Sequence, residues 1–239
     1  MMLDKSKQLV VISGATSGIG LSMSKAMLEQ GYQVLGIARE LEQTAIEHKN
    51  FSYESMDIAN ISKLQDAISQ IVSNIDIPVK ALINNAGLGK MGNLEQLSVN
   101  DIRLVMDTNF ISHAIITKSF LPLLKKQGYG DIIFTGSEAA LKGSRQGSIY
   151  CASKFAVRGF AQALREECGK SGVRVTIINP GAVRTPFFDE LHFEPGSEPE
   201  NAIEPDDIAE ILVTIIEARL GTVFDEITLS PLNHVWQRK

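Results

Sequence analysis

Leu9-Val10-Val11-Ile12-Ser13-Gly14-Ala15-Thr16-Ser17-Gly18-Ile19-Gly20 is the stretch on which the fold turns. Four apolar residues in a row read as a buried parallel strand. Three glycines follow within eight residues, and a helix-like pattern then runs to Gln30. Glycine at such a junction permits a tight turn and lets the backbone approach a pyrophosphate. The helix start supplies free N–H groups and a favourable dipole. The spacing is Gly-x-x-x-Gly-x-Gly, not the general Gly-x-Gly-x-x-Gly. The glycines alone therefore fit an empty turn as well as a nucleotide site, and the strand–turn–helix context favours the site.

Outward from this unit, strand and helix patterns alternate along the chain. Apolar strand candidates lie at 8–13, 33–38, 51–55, 79–84, 131–136, 173–179 and 224–229. Helical patterns occupy 18–30, 40–48, 61–73, 101–127, 149–170 and 205–219. Such alternation predicts an α/β domain: a doubly wound parallel sheet with helices on both faces and right-handed crossovers. Ligands of these sheets sit beyond the carboxyl ends of the strands. The 239 residues show no linker, repeat or low-complexity segment, so residues 1–239 are expected to form a single domain.

Tyr150 and Lys154 stand four residues apart on a predicted helix and so share a face. A free phenol titrates near pH 10, too high for ready proton exchange at neutral pH. A positive charge about 4 Å away, at an effective dielectric of about 20, favours the phenolate by roughly 4 kcal/mol. That predicts a lowered Tyr150 pKa, suited to general acid–base catalysis. Ser137, thirteen residues ahead, would add a neutral hydrogen bond to the same reacting oxygen. Alone, a Tyr–Lys pair at this spacing is usually a surface pair.

Taken in order, Gly14-x-x-x-Gly18-Ile19-Gly20, Asn84-Asn85-Ala86-Gly87, Asn109, Ser137, Tyr150-x-x-x-Lys154 and Pro180-Gly181-x-Val183-x-Thr185 resemble the short-chain dehydrogenase/reductase family over nearly the whole chain. Departures are small: Ser13 stands where threonine is usual, Gly136 precedes Ser137 where serine is common, and Glu138 follows it. The resemblance implies a Rossmann-type sheet in the order 3-2-1-4-5-6-7 and a catalytic set of Asn109, Ser137, Tyr150 and Lys154. It implies cofactor contacts from Gly14, Thr16, Ser17, Gly18, Ile19 and Gly20 in the turn. Asn85, Ala86 and Gly87 would line the adenosine side, and Asp57 would bind the adenine amine unless it caps the following helix. Pro180, Gly181, Val183 and Thr185 would hold the nicotinamide carboxamide. Tyr150 and Lys154 would also touch the cofactor, and Asn109 would bend its helix and hold a water linking Lys154 to solvent.

The second strand, Val34-Leu35-Gly36-Ile37, runs into Ala38-Arg39-Glu40. An NAD site normally places an acid at that strand end, to hold the ribose hydroxyls. Ala38 occupies the position, and Arg39 next to it suits the forked contact of a 2′-phosphate. NADP (NADPH) is therefore expected over NAD, the competing reading being Arg39 paired with Glu40 or Glu42 while Glu40 holds the ribose. Residues 186–201, rich in Pro, Gly, Glu and Phe, read as a mobile substrate lid with Phe187, Phe188 and Leu191 beneath it.

A net charge of −5 argues against a nucleic-acid partner. No apolar run approaches a membrane span, the first residues carry no secretory pattern, and a cytoplasmic location is expected. Cys151 and Cys168 and four scattered histidines offer no metal site. Apolar residues around the 101–127 and 149–170 helices, among them Val105, Ile111, Ile115, Phe120, Phe155, Val157, Phe160 and Leu164, exceed what one face needs. By resemblance these helices pair subunits into a homodimer or homotetramer. The leading expectation is an NADP-dependent oxidoreductase acting on a small carbonyl or secondary alcohol. The alternatives are a 3-oxoacyl thioester reductase of lipid synthesis, which needs a basic docking surface such as Lys125, Lys126, Arg158 and Arg165, and a non-catalytic NADP-binding regulatory protein.

Overall fold

Runs that are apolar on both faces become the central strands of the computed structural model, which describes residues 4–39 and 46–239. The strands are β1 (Leu9–Ser13), β2 (Gln33–Ala38), β3 (Phe51–Ser55), β4 (Val79–Asn84), β5 (Gly130–Thr135), β6 (Val173–Pro180), β7 (Phe193–Pro195), β8 (Glu226–Leu229) and β9 (Trp236–Arg238). Seven of them form one parallel sheet in the order β3-β2-β1-β4-β5-β6-β8. The order matches the expectation, with β8 as the seventh strand because the short β7 precedes it. The chain reverses direction across the sheet between β1 and β4, and a crevice opens there.

Helices cover both faces: α1 (Gly18–Glu29), α2 (Ile61–Ser73), α3 (Val99–Met106), α4 (Ser112–Gln127), α5 (Ser148–Cys168) and α6 (Pro205–Glu217). Leu64, Ile68, Phe120 and Val157 of α2, α4 and α5 pack on one face. Met23, Met27, Leu212 and Ile216 of α1 and α6 pack on the other. All of these are at most 2% exposed, which makes the sheet the centre of two hydrophobic layers.

The structure refines four expectations. The helix expected over 40–48 lies for 40–45 outside the described residues, and Ile46–His48 are not helical. The helix expected over 101–127 is two helices joined by a π-turn at Asp107–Ile111, with Asn109 inside it. Within residues 186–201, short helical turns at Pro186–Phe188 and Pro199–Asn201 flank β7, which pairs antiparallel with β9. Of the residues expected to spare an apolar face, Val105, Phe120 and Val157 are wholly buried within the chain and Leu164 nearly so, while Phe155 stays 44% exposed.

At the amino edge of the sheet, away from the crevice, Asp131 holds two cations. Arg174 Nε and Nη2 donate to its carboxylate at 2.6 and 2.9 Å, and Lys80 Nζ at 3.0 Å. Arg174 also donates to the carbonyls of Ile215 and Ala218, so one buried guanidinium ties β5, β6 and the end of α6 together. Among the described residues no helix is long and apolar enough to cross a membrane, and no metal-ligating cluster occurs.

Candidate active site

The glycine turn leaves a cradle that side chains would fill. Gly14 and Gly18 sit at φ +69° and +49°, in the region that favours glycine. A Cβ on Gly20 would lie 2.0 Å from Gly14 O. Ser17 precedes α1 without capping it by its side chain, so the helix start retains N–H groups for an anion. Ser13 joins the ends of β1 and β4: its Oγ accepts the Asn85 and Ala86 N–H groups at 3.0 and 3.1 Å. Asn85 Nδ2 returns to Ser13 O at 3.2 Å, and Thr135 Oγ1 donates to Asn85 Oδ1 at 3.1 Å. These residues fit a dinucleotide, because the cradle is shaped by missing side chains and walled by fixed amides.

Other expected cofactor residues line the same cleft, Thr16, Ile19, Arg39, Asp57, Gly87, Pro180, Gly181, Val183 and Thr185 among them, as does Ala38. Arg39 is exposed, and its side chain has no partner among the described residues; Glu40 and Glu42 lie outside them. Asp57 is not the cap of α2, which follows Asn60; its Oδ1 accepts the Ala59 N–H at 3.0 Å. Thr185 packs against the turn, its Cγ2 only 3.1 Å from where a Cβ on Gly18 would lie.

Ser137, Tyr150 and Lys154 meet at the other side of the cleft. Ser137 is held by its N–H donating to Asn179 Oδ1 at 3.2 Å and by its Oγ accepting the Ala139 N–H at 3.1 Å. Tyr150 and Lys154 occupy consecutive turns at the start of α5. Lys154 Nζ donates to Thr135 O at 2.9 Å and lies 5.8 Å from the Tyr150 ring centroid. Asn109 Nδ2 donates to Leu88 O and Ser153 Oγ, each at 3.0 Å, and its Oδ1 accepts the Leu88 N–H at 2.9 Å. The π-turn thereby locks the loop after β4 to α5, and Gly87 lies beside both Asn109 Oδ1 and Lys154 Nζ.

The electrostatics correct the expected Tyr150 pKa. Burial pushes the phenol up to about 12; the hydrogen bond with Ser137 pulls it down, and the neighbouring Cys151 and Glu138 push it up. Burial also brings Lys154 down to about 8. Desolvation is the largest cause at both groups and outweighs any attraction between the ammonium and the phenolate.

Several contributors were invisible in the sequence. Thr135 acts through its carbonyl, which any residue carries, and Ser153 is an ordinary helix residue until Asn109 reaches it. Arg184 pins the segment after β6, donating to Gly196 O and Glu198 O at 3.3 and 3.0 Å. The C-terminal residues His234 and Trp236 also line the cleft. The basic cluster imagined for a carrier protein is partly neutralised, since Arg158 pairs with Glu226 at 2.8 Å and Arg165 with Asp225 at 3.3 Å.

A family model described as short chain dehydrogenase matches residues 8–195. The chain belongs to the short-chain dehydrogenase family. This short-chain dehydrogenase is 31% identical to the sepiapterin reductase of Chlorobaculum tepidum, covering 94% of this chain and 96% of that protein. It is 32% identical to Homo sapiens retinol dehydrogenase 8 over 80% of its own length, but spans only 66% of that protein. An alcohol dehydrogenase of the archaeon Thermococcus sibiricus, solved with 5-hydroxy-NADP, superposes with a TM-score of 0.82 at 26% identity, covering 97% and 98% of the two chains. As a member of this family the protein is an oxidoreductase fold built for a nicotinamide cofactor.

Proposed function

We propose that this short-chain dehydrogenase moves a hydride between NADP(H) and a carbonyl or secondary alcohol, with Ser137, Tyr150, Lys154 and Asn109 as its working set. The observation that carries the reading is the convergence of Ser137, Tyr150 and Lys154 in the cleft that also contains the glycine cradle. The cofactor, when bound, supplies the hydride. Gly14, Gly18, Gly20 and the α1 N-terminus would hold its pyrophosphate, and Arg39 its 2′-phosphate.

Ser137 and Tyr150 hydroxyls bind the carbonyl oxygen and fix it for attack. Because burial keeps Tyr150 protonated at neutral pH, the phenol stands ready to give its proton as charge builds on that oxygen. Lys154, still mostly protonated at neutral pH, stabilises the phenolate that results. In the oxidative direction the phenolate takes the proton from the alcohol. Asn109 holds the loop bearing Gly87 beside Lys154, and the route from Lys154 to solvent through water belongs to this proposal. Residues 186–201 act as the substrate lid. We place the enzyme in the cytoplasm as a homodimer or homotetramer.

The test is oxidation of NADPH, followed by the loss of its absorbance, with purified protein and a panel of ketones, aldehydes, hydroxy acids and oxoacyl thioesters. Turnover of at least one carbonyl class is expected. Tight NADPH binding with no turnover anywhere in the panel would turn the reading toward a regulatory protein.

A further inference from the structure

Among the described residues four side-chain carboxylates line the cleft, and three are accounted for. Asp57 holds the Ala59 N–H, Glu190 pairs with Lys90 at 3.5 Å, and Asp189 is exposed at the rim. Glu138 differs. It directly follows Ser137, it is half-buried, and among the described residues its side chain makes no hydrogen bond or ion pair. Its Oε2 lies against Gly181, where a Cβ would come within 3.0 Å, and Pro231 stands at 2.9 Å from the same point. Glycine at 181 therefore makes the room that the carboxylate occupies. The backbone beneath it is rigid, because Ser137 is bonded to both Asn179 and Ala139.

A half-buried carboxylate without a partner offers a docking cation a charge-assisted hydrogen bond. Nearby cations do not meet it: Lys154 donates to Thr135 O, Lys239 donates to Phe188 O, and Lys142 and Arg145 are exposed. Across the cleft the wall is apolar. The Phe187 ring lies against Gly89, where a Cβ would be only 2.7 Å away, and against Tyr150. The space beside the proton donor thus has an aromatic roof and an unneutralised negative charge next to Ser137.

Resting on the reductase reading above, we propose that Glu138 selects carbonyl substrates bearing a protonated amine on the adjacent carbon: α-amino ketones, or 1,2-amino alcohols in the oxidative direction. Hydride from the nicotinamide goes to the carbonyl carbon, the Tyr150 proton goes to the oxygen, and the ammonium is unchanged, held by Glu138. The apolar remainder of the substrate packs under Phe187. Glu138 is also one of the groups that hold the Tyr150 phenol up, so a bound ammonium offsets that charge and makes Tyr150 the better acid.

The test compares α-aminoacetophenone, protonated at mildly acidic pH, with propiophenone, its neutral isostere, in wild type and Glu138→Gln. Wild type should favour the amine in kcat/KM by roughly ten- to hundredfold, the scale of a charged hydrogen bond, and Glu138→Gln should cut that ratio at least tenfold. An unchanged ratio overturns the proposal, and a general injury to the site cancels in it. If wild type turns over neither ketone, the reaction reading is what fails for these compounds. Calorimetric titration with phenethylammonium then decides the role of Glu138. Binding weakened at least tenfold by Glu138→Gln upholds the site, and equal affinities or no binding to wild type refute it.

Discussion

The Phe187 ring stands 5.7 Å from the Tyr150 ring, centroid to centroid, at an interplanar angle of 54°. The segment after β6 therefore roofs the proposed acid directly. Phe187 is in turn packed edge-to-face on Phe188 at 5.2 Å, and Phe188 stacks at a tilt on Trp236 of β9 at 5.9 Å. The C-terminal strand thus supports the wall that faces the substrate.

Phe187→Ala should enlarge the space above Tyr150. The expected outcome is a roughly tenfold shift of kcat/KM toward bulky aryl ketones relative to small ones, within the range that pocket shape can supply. Equal losses on both, read from steady-state kinetics, would show that Phe187 only steadies Tyr150.

Tyr150→Phe should lower turnover at least about a hundredfold, the contribution of a positioned acid, while NADPH binding by fluorescence titration persists. Lys154→Ala should lose both turnover and cofactor affinity. Near-full rate in Tyr150→Phe on a good substrate would remove Tyr150 from its role.

The double change Ala38→Asp with Arg39→Ala should weaken NADPH binding by about 1.5–3 kcal/mol, a lost charged hydrogen bond, and favour NADH. A wild-type protein that binds NADH more tightly than NADPH would already refute the assignment.

His113 on α4 is fully buried, with Nε2 2.9 Å from Ala86 O. Burial, together with the charge of Lys154, lowers its pKa from 6.5 to about 3. Between those values the unfolded chain binds the extra proton and the folded chain does not, so stability falls as pH drops through this window. The slope from this one group approaches 1.4 kcal/mol per pH unit. Urea unfolding across this pH range should show a flatter acid limb in His113→Gln, whatever its stability at neutral pH. An identical limb would assign acid sensitivity to other groups.

Arg174→Leu strips Asp131 of its two-pronged partner and leaves the carbonyls at the end of α6 without their donor. A loss of about 3–5 kcal/mol is expected, the cost of breaking a buried ion pair on one side. A change below about 1 kcal/mol in chemical denaturation would mean that Lys80 alone satisfies the carboxylate.

Most of the sheet was legible because its strands are buried on both faces. Such strands must be continuous apolar runs, as in Leu9–Ile12 and Val173–Ile178, and their carboxyl ends must carry whatever a ligand meets. The glycine turn was equally plain, since Gly14 and Gly18 adopt backbone angles that few other residues reach. The break at Asp107–Ile111 was foreshadowed only by the resemblance, through Asn109, and not by periodicity: one extra residue in a turn changes hydrogen bonding but scarcely disturbs an apolar stripe.

Local chemistry along the chain was therefore sufficient for the strands and the glycine turn, and the order of the motifs carried the family resemblance that named candidate residues for the cleft. Folding alone settled how those residues are poised. The Tyr150 pKa depends on desolvation by distant elements, which at this site outweighs the charge four residues away. Glu138 became distinctive only when Gly181, forty-three positions on, was seen to leave it space. The pairing of β7 with β9 joins Phe193 to Arg238 across the chain. Spacing and propensity act over a few residues, whereas burial, strand pairing and an unmet charge are properties of surfaces that come together only in the folded chain.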